Sequence, residues 1–237
     1  MPGRLPAPGP ARQAPIAPPA WLAARLLHEG PEVLVLDKPS GLPVSARSGE
    51  SLEQWLPALR MGKRRDPQPA HRLDADTAGC LVLGRTAPML ARLNALFAAR
   101  QVEKTYWAVL RGGPKAESGI IDAPIRKISS AARGWRMEVH AAGDPARTAW
   151  RVLGRAPGLT FVELRPETGR THQLRVHCAH LGAPILGDPI YGGGPGTLHL
   201  LAREIALPLG PELRVTAPVP EAMRHAVARC RPSGATL

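Results

Sequence analysis

Cysteine is scarce in this chain. The three present, Cys80, Cys178 and Cys230, stand in unrelated local contexts with no CxxC pair. That excludes a disulfide framework and a thiolate zinc site, and points to a reducing compartment, with the cytoplasm expected. Long apolar runs are lacking too: nothing approaches the roughly eighteen residues of a membrane span, so no membrane association is expected. No G-x-G-x-x-G or Walker loop occurs, which removes the usual nucleotide cradles. Residues 1–20, MPGRLPAPGPARQAPIAPPA, lack apolar bulk, so ordering them would cost more entropy than burial returns; a disordered tail is expected. The same stretch has no h-region of a secretory signal, and its prolines oppose the amphipathic helix of a mitochondrial presequence.

Acidic residues are in deficit as well, 19 against 31 Lys and Arg, for a formal charge of +12. The basic residues bunch. Arg60, Lys63, Arg64, Arg65, His71 and Arg72 fall in one stretch, and Arg165, Arg170 and Arg175 in another. Arg outnumbers Lys, which suits planar recognition of phosphate, so a polyanionic partner is favoured.

Residues 21–237 alternate strand and helix patterns irregularly, which predicts one α+β domain with a largely antiparallel sheet. VLVLD (33–37) and CLVLGR (80–85) read as buried strands. Ser51 reads as an N-cap for LEQWLPALR, bent or ended by Pro57. Met89, Leu90, Leu93, Leu96 and Phe97 recur at helical spacing. EKTYWAVLRG is a strand with Lys104, Tyr106 and Ala108 on one face. GIIDAPI, WRMEVH, RTAWRVLGR and LTFVELRP are expected as antiparallel strands between turns. Thr171–Leu181 is expected as a helix, LHLLAREIAL as a strand and PEAMRHAVARC as a closing helix.

Two constellations carry chemistry. In HRLDADTAG, residues 71–79, a carboxylate sits between a basic Pro-rich loop and an apolar strand. That is the placement of a reactive acid at the mouth of a cleft, or of an Arg–Asp surface turn. HRLD echoes the kinase H-R-D, but no glycine-rich loop, V-A-I-K lysine or D-F-G accompanies it. In RPETGRTHQLRVHCAH, residues 165–180, a Gly turn, three arginines and a helix start can converge on an anion. The spacing of His172, His177, Cys178 and His180 fits no common zinc pattern, so no metal site is expected.

These blocks, with LLHEGPEVLVLDKPSGLPV before them, QVEKTYWAVLRG between them and LGAPILGDPIYG after, resemble in order the RluA-type RNA pseudouridine synthases. The resemblance covers nearly all of the chain beyond the tail and implies the pseudouridine synthase fold, a mixed sheet flanked by helices around a central active-site cleft. It also implies the minimal catalytic form, without the S4-type RNA-binding module many relatives carry. The chain departs from the family's Thr-Ser-Gly at Thr77-Ala78-Gly79, which removes one hydroxyl behind the aspartate.

What the resemblance implies is isomerisation of uridines in structured RNA, 23S ribosomal RNA or transfer RNA; an isomerisation neither oxidises nor hydrolyses, so no metal or organic cofactor is expected, and a monomer is the default. Asp74 takes the place of the catalytic aspartate, by attack on the ribose or by proton abstraction beside it. Arg175 is expected to pair with Asp74. Tyr106 is expected to stack on the uracil and to take the carbon 5 proton. Arg72 is expected to fill the space left by a flipped base, with His71 holding that loop. Arg170 and the cluster Arg60, Lys63, Arg64 and Arg65 are expected to bind phosphates; Arg165 is left without a role. A non-catalytic RNA-binding protein that kept the fold is the alternative. A hydrolytic glycosidase would need two facing carboxylates, and Asp76 is too near Asp74 in sequence to oppose it.

Overall fold

The computed structural model describes residues 19–130, 134–192 and 194–231, so the expected tail lies outside the described residues up to residue 18. Runs that are apolar on both faces take the middle of the sheet. β2 (Val33–Lys38) and β4 (Ala78–Gly84) are buried along their whole length, as continuous hydrophobic runs demand. β1 (Leu26–Glu29), preceded by the one-turn α1 (Ala20–Ala23), and the short β3 (Gln68–Pro69) flank them. α2 (Ala87–Ala98) follows β4. Thr86 caps it by accepting a bond from the Met89 N–H at 3.3 Å, and Met89 and Leu93 are its buried stripe.

The second half of the sheet comes from β5 (Glu103–Arg111), β6 (Ser118–Asp122), β9 (Arg147–Ala156), β10 (Leu159–Pro166), β11 (Leu200–Leu207) and β12 (Leu213–Thr216). The order is β1-β2-β4-β11-β5-β10-β9-β6, with β3 on β4 and β12 on β11. Among the described residues only β4 and β11 pair in parallel; the other pairs are antiparallel, as expected for an α+β fold. α3 (Gln173–His180) and α4 (Glu221–Cys230) complete the layers.

The structure departs from the sequence pattern in two elements. GIIDAPI does not form one strand: Ala123 and Pro124 break it. Its first part is β6 in the large sheet, and its end opens β7 (Ile125–Ser130), which pairs with β8 (Gly134–Val139) in a separate hairpin and bridges to Asp144 through Ile125. Leu52–Arg60 is a 3₁₀ helix, and Ser51, 3% exposed, makes no side-chain cap. Pro57 within it has no N–H to give and its ring crowds the preceding turn, which disfavours the α form.

One row across the sheet positions the site. Leu164, Tyr106, Ala202, Gly79 and Lys38 are successive partners on β10, β5, β11, β4 and β2. Gly79 lies at φ +107°, and a Cβ there would stand 2.3 Å from the Ala202 carbonyl oxygen, so the parallel pair closes only around glycine. Ala78, opposite Leu201 and 4% exposed, faces apolar surroundings, and its missing hydroxyl leaves no polar group to satisfy.

Candidate active site

Asp74 opens the turn that leads into β4: the Thr77 N–H bonds its carbonyl at 3.1 Å. The turn hangs on the segment after β2. Lys38, fully buried, donates to the carbonyls of Pro39, Leu42 and Ala75, each at 2.8 Å. The Gly41 N–H also reaches Ala75 at 2.9 Å, and the Ser40 hydroxyl donates to the Asp76 carbonyl at 2.7 Å. Burial pushes the Lys38 amine down to about 8, against the opposing charges of Asp76, Asp74 and Asp37. Three short bonds use all three ammonium protons.

On the other side His71 extends the β3–β4 ladder with its side chain. Its Nε2 accepts the Val82 N–H at 3.0 Å, and the ring stacks on Phe97 with centroids 4.7 Å apart. Burial, then the charge of Lys104, pushes its pKa down to about 4. His71 is therefore a neutral strut for the loop, and its Nε2 lone pair is spent on Val82 rather than open to RNA. Leu73 is buried in the core, which leaves Arg72 exposed and half-buried Asp74 facing a cleft of about 830 Å³.

Tyr106, Lys104, Arg175, Arg170 and Arg100 share that cleft with Asp74 and Arg72. The basic lining outnumbers the acids Glu53, Asp74 and Glu167, so the cleft focuses a positive potential on an incoming anion. Burial raises the Tyr106 phenol well above its ordinary value, and the charge of Asp74 raises it further. It is a protonated phenol in the resting site.

The expected Arg175–Asp74 pair is not the one formed. Arg175, 2% exposed, places Nε and Nη2 on the two carboxylate oxygens of Asp188, each at 2.8 Å. Asp188 also accepts the N–H groups of Ile190 and Tyr191, at 2.9 and 3.1 Å. Burial opposes both charges, but these bonds hold the Asp188 carboxyl below its ordinary value and the Arg175 guanidinium above its own. Asp74 contributes to Arg175 only through its charge, as it does to His172 and Lys38. The physical reason is geometric: a planar fork buried in α3 takes a partner that offers two oxygens edge-on, and Asp188 does. Among the described residues the Asp74 carboxylate makes no hydrogen bond or ion pair.

α3 is anchored by its own first residue. Gln173 accepts bonds from the Thr168 hydroxyl at 2.7 Å and the Arg170 N–H at 3.0 Å, and donates to the Arg147 carbonyl and Thr148 hydroxyl, each at 3.0 Å. His177 is fully engaged, with Thr148 Oγ1 at 2.9 Å and the Ala123 carbonyl at 3.0 Å.

The basic loop lies elsewhere. Arg60 is ion-paired to Asp66, and exposed Lys63, Arg64 and Arg65 stand outside the cleft lining. Arg170 does line the cleft, though its Nε is turned to the Pro145 carbonyl at 3.3 Å. Arg165 pairs with Glu163 at 3.0 Å. Sequence reasoning missed Asp188, Lys104, Arg100 and His172 as parts of the site. Period-two alternation could have found Lys104, one step from Tyr106 on the same strand face. No local spacing joins Asp188 to Arg175.

A family model described as RNA pseudouridylate synthase matches residues 32–180. An uncharacterised RNA pseudouridine synthase of Zymomonas mobilis is 47% identical over 210 residues, covering 85% of this chain and 96% of that protein. Ribosomal large subunit pseudouridine synthase D of Xanthomonas campestris is 35% identical over 247 residues, covering 92% and 73%. The solved structure of human RNA pseudouridylate synthase domain containing 4 superposes with a TM-score of 0.77 at 29% identity, covering 88% of this chain and 94% of that one.

Proposed function

The chain belongs to the RNA pseudouridylate synthase family, whose members are isomerases, and on that premise we propose that Asp74 converts selected uridines of ribosomal or transfer RNA to pseudouridine. The observation that carries the reading is the juxtaposition in one basic cleft of a carboxylate unbonded among the described residues, a half-buried phenol and a rigidly held guanidinium. The similarity to a synthase named for the ribosomal large subunit supports ribosomal RNA within that pair of substrates.

The target nucleotide leaves its stack to enter the cleft, at a cost of a few kcal/mol that cleft contacts offset. Arg72, exposed beside Asp74, props the vacated space. As the bond between ribose carbon 1′ and uracil N1 breaks, positive charge grows on the sugar, and the free oxygens of Asp74 stabilise or trap it. In the alternative route the same carboxylate removes the proton on the ribose carbon beside the breaking bond as uracil leaves, and returns it when the new carbon–carbon bond forms. Uracil, stacked on Tyr106, turns and bonds carbon 1′ through carbon 5. The carbon 5 proton leaves and N1 gains one, so nothing is added or lost overall. Tyr106 ionises more readily once Asp74 has given up its charge to a sugar ester, because that charge is one of the influences that keep the phenol protonated; the phenol proton passes to N1, and the phenolate so formed takes the carbon 5 proton.

Pseudouridine mapping across total RNA, with and without the gene, tests this. Sites in ribosomal or transfer RNA are expected to vanish in the deletion and to return with wild type but not with Asp74→Asn. Return of those sites with Asp74→Asn would overturn the role of the carboxylate.

A further inference from the structure

The β7–β8 hairpin carries the least explained aromatic of the molecule. Ile125 and Met137 on one face of the hairpin pack with Val176 of α3, and in the same register Trp135 lies two residues further out, opposite Ser129. Trp135 is 47% exposed, yet it is not loose. Its indole stacks on His172, centroids 5.1 Å apart and planes 29° apart. His172 is held in turn by the Tyr191 hydroxyl at 2.9 Å from Nδ1, and that hydroxyl accepts the Met137 N–H at 3.0 Å. His172 sits at φ +54°, a left-handed conformation unusual for a side-chain-bearing residue, at the head of α3 and on the wall of the catalytic cleft. Exposed tryptophan is thus propped from beneath by a cleft residue whose backbone is left-handed. A cation borders it on the same face of the hairpin: the Lys127 ammonium lies 5.0 Å from the ring centroid.

A rigid, half-exposed aromatic with a cation beside it, continuous with a basic cleft, has the composition of a single-strand stacking platform. We propose that Trp135 stacks an unpaired base of the RNA next to the target uridine, with Lys127 taking the adjoining phosphate. The proposal rests on the reading that the chain acts on RNA. It extends that reading by naming a second contact, beyond the uridine pocket, that selects for unstacked flanking sequence. A protein partner would favour an apolar surround, which the Lys127 ammonium and the basic cleft do not supply.

The test titrates wild type, Trp135→Ala and Trp135→Phe with two probes: an oligouridylate of about ten nucleotides and a backbone of the same length without bases. Removing one base–aromatic stack weakens oligouridylate binding by about tenfold or more. In Trp135→Ala that loss is expected for oligouridylate only, with binding of the baseless chain unchanged. Trp135→Phe keeps most of the affinity, and wild-type tryptophan emission is quenched by oligouridylate to an extent that Trp135→Phe loses. Equal wild-type binding of the two probes, unchanged oligouridylate binding in Trp135→Ala, or an equal loss for both probes overturns the platform. The last of these would show a structural role instead. Binding through Trp135 without pseudouridine in any RNA would sink the reaction proposed above and leave the platform standing.

Discussion

Asp74 and Arg175 face the same cleft and are held there by opposite means. The Asp74 turn is fixed through its backbone: Lys38, Ser40 and Gly41 bond the carbonyls of Ala75 and Asp76, and among the described residues the carboxylate itself is left unbonded. Arg175 is fixed through its side chain, buried and clamped on both oxygens of Asp188. On the proposed mechanism the difference separates a group that changes its bonding during the reaction from one that stays still. A carboxylate that attacks or abstracts cannot be tied up in the resting state, and a charge that shapes the potential around it acts best when preorganised.

That contrast can be broken from either side. The largest effect is expected at Asp74: Asp74→Asn lowers turnover by on the order of 10⁴ or more, measured in single-turnover assays. Its melting temperature stays near wild type, because the side chain has no hydrogen bond among the described residues to lose. Asp188→Ala is expected to do the reverse first. Stranding a buried guanidinium costs about 3–5 kcal/mol, read as a fall in melting temperature on the order of 10 °C. If the two variants lose similar stability, the distinction between backbone and side-chain anchoring fails.

Acid should separate the two halves as well. The His71 imidazole is pushed down to about 4 in the folded protein, by burial and then by Lys104. The unfolded chain binds that proton first, so the stabilisation is present above roughly pH 6.5 and is lost as pH falls through about 4. It amounts to about 3 kcal/mol at most. Asp188, whose carboxyl is held below its ordinary value, contributes above the ordinary carboxylate range and loses its share at lower pH still. Chemical unfolding from pH 7 to 4 is expected to show this slope in wild type and a shallower one in His71→Gln, which keeps an acceptor for the Val82 N–H. An unchanged slope would show that His71 takes up its proton without loss of structure.

The smallest effect concerns the loop outside the cleft. Replacing Lys63, Arg64 and Arg65 together by Ala should reduce the salt dependence of RNA binding by up to about three in log–log slope, with turnover of bound RNA unchanged. A loss of turnover instead would place that loop in the site.

Much of this was legible because burial writes itself into sequence locally. The runs of β2 and β4 are apolar on both faces, and both were expected as strands. Lys104 and Tyr106 share a strand face by period two, and the structure puts both on the cleft wall. What was not legible depends on partners distant in the chain or on a choice between near-equal local forms. Arg175 was expected to choose Asp74, but only three-dimensional packing brings the two Asp188 oxygens edge-on to its guanidinium. The break of GIIDAPI at Ala123–Pro124 between two sheets is likewise a tertiary decision, and it is the one that creates the hairpin bearing Trp135. The 3₁₀ form of Leu52–Arg60 follows from Pro57, which the sequence shows but whose outcome, a bend or a tighter helix, it leaves open.

The most direct measurement uses RNA labelled with tritium at carbon 5 of uridine, since joining that carbon to the ribose must expel its hydrogen. Wild type is expected to release tritium to water in step with pseudouridine formation, and Asp74→Asn, folded and still binding RNA, is expected to release none. Release by Asp74→Asn at the wild-type rate would contradict the account.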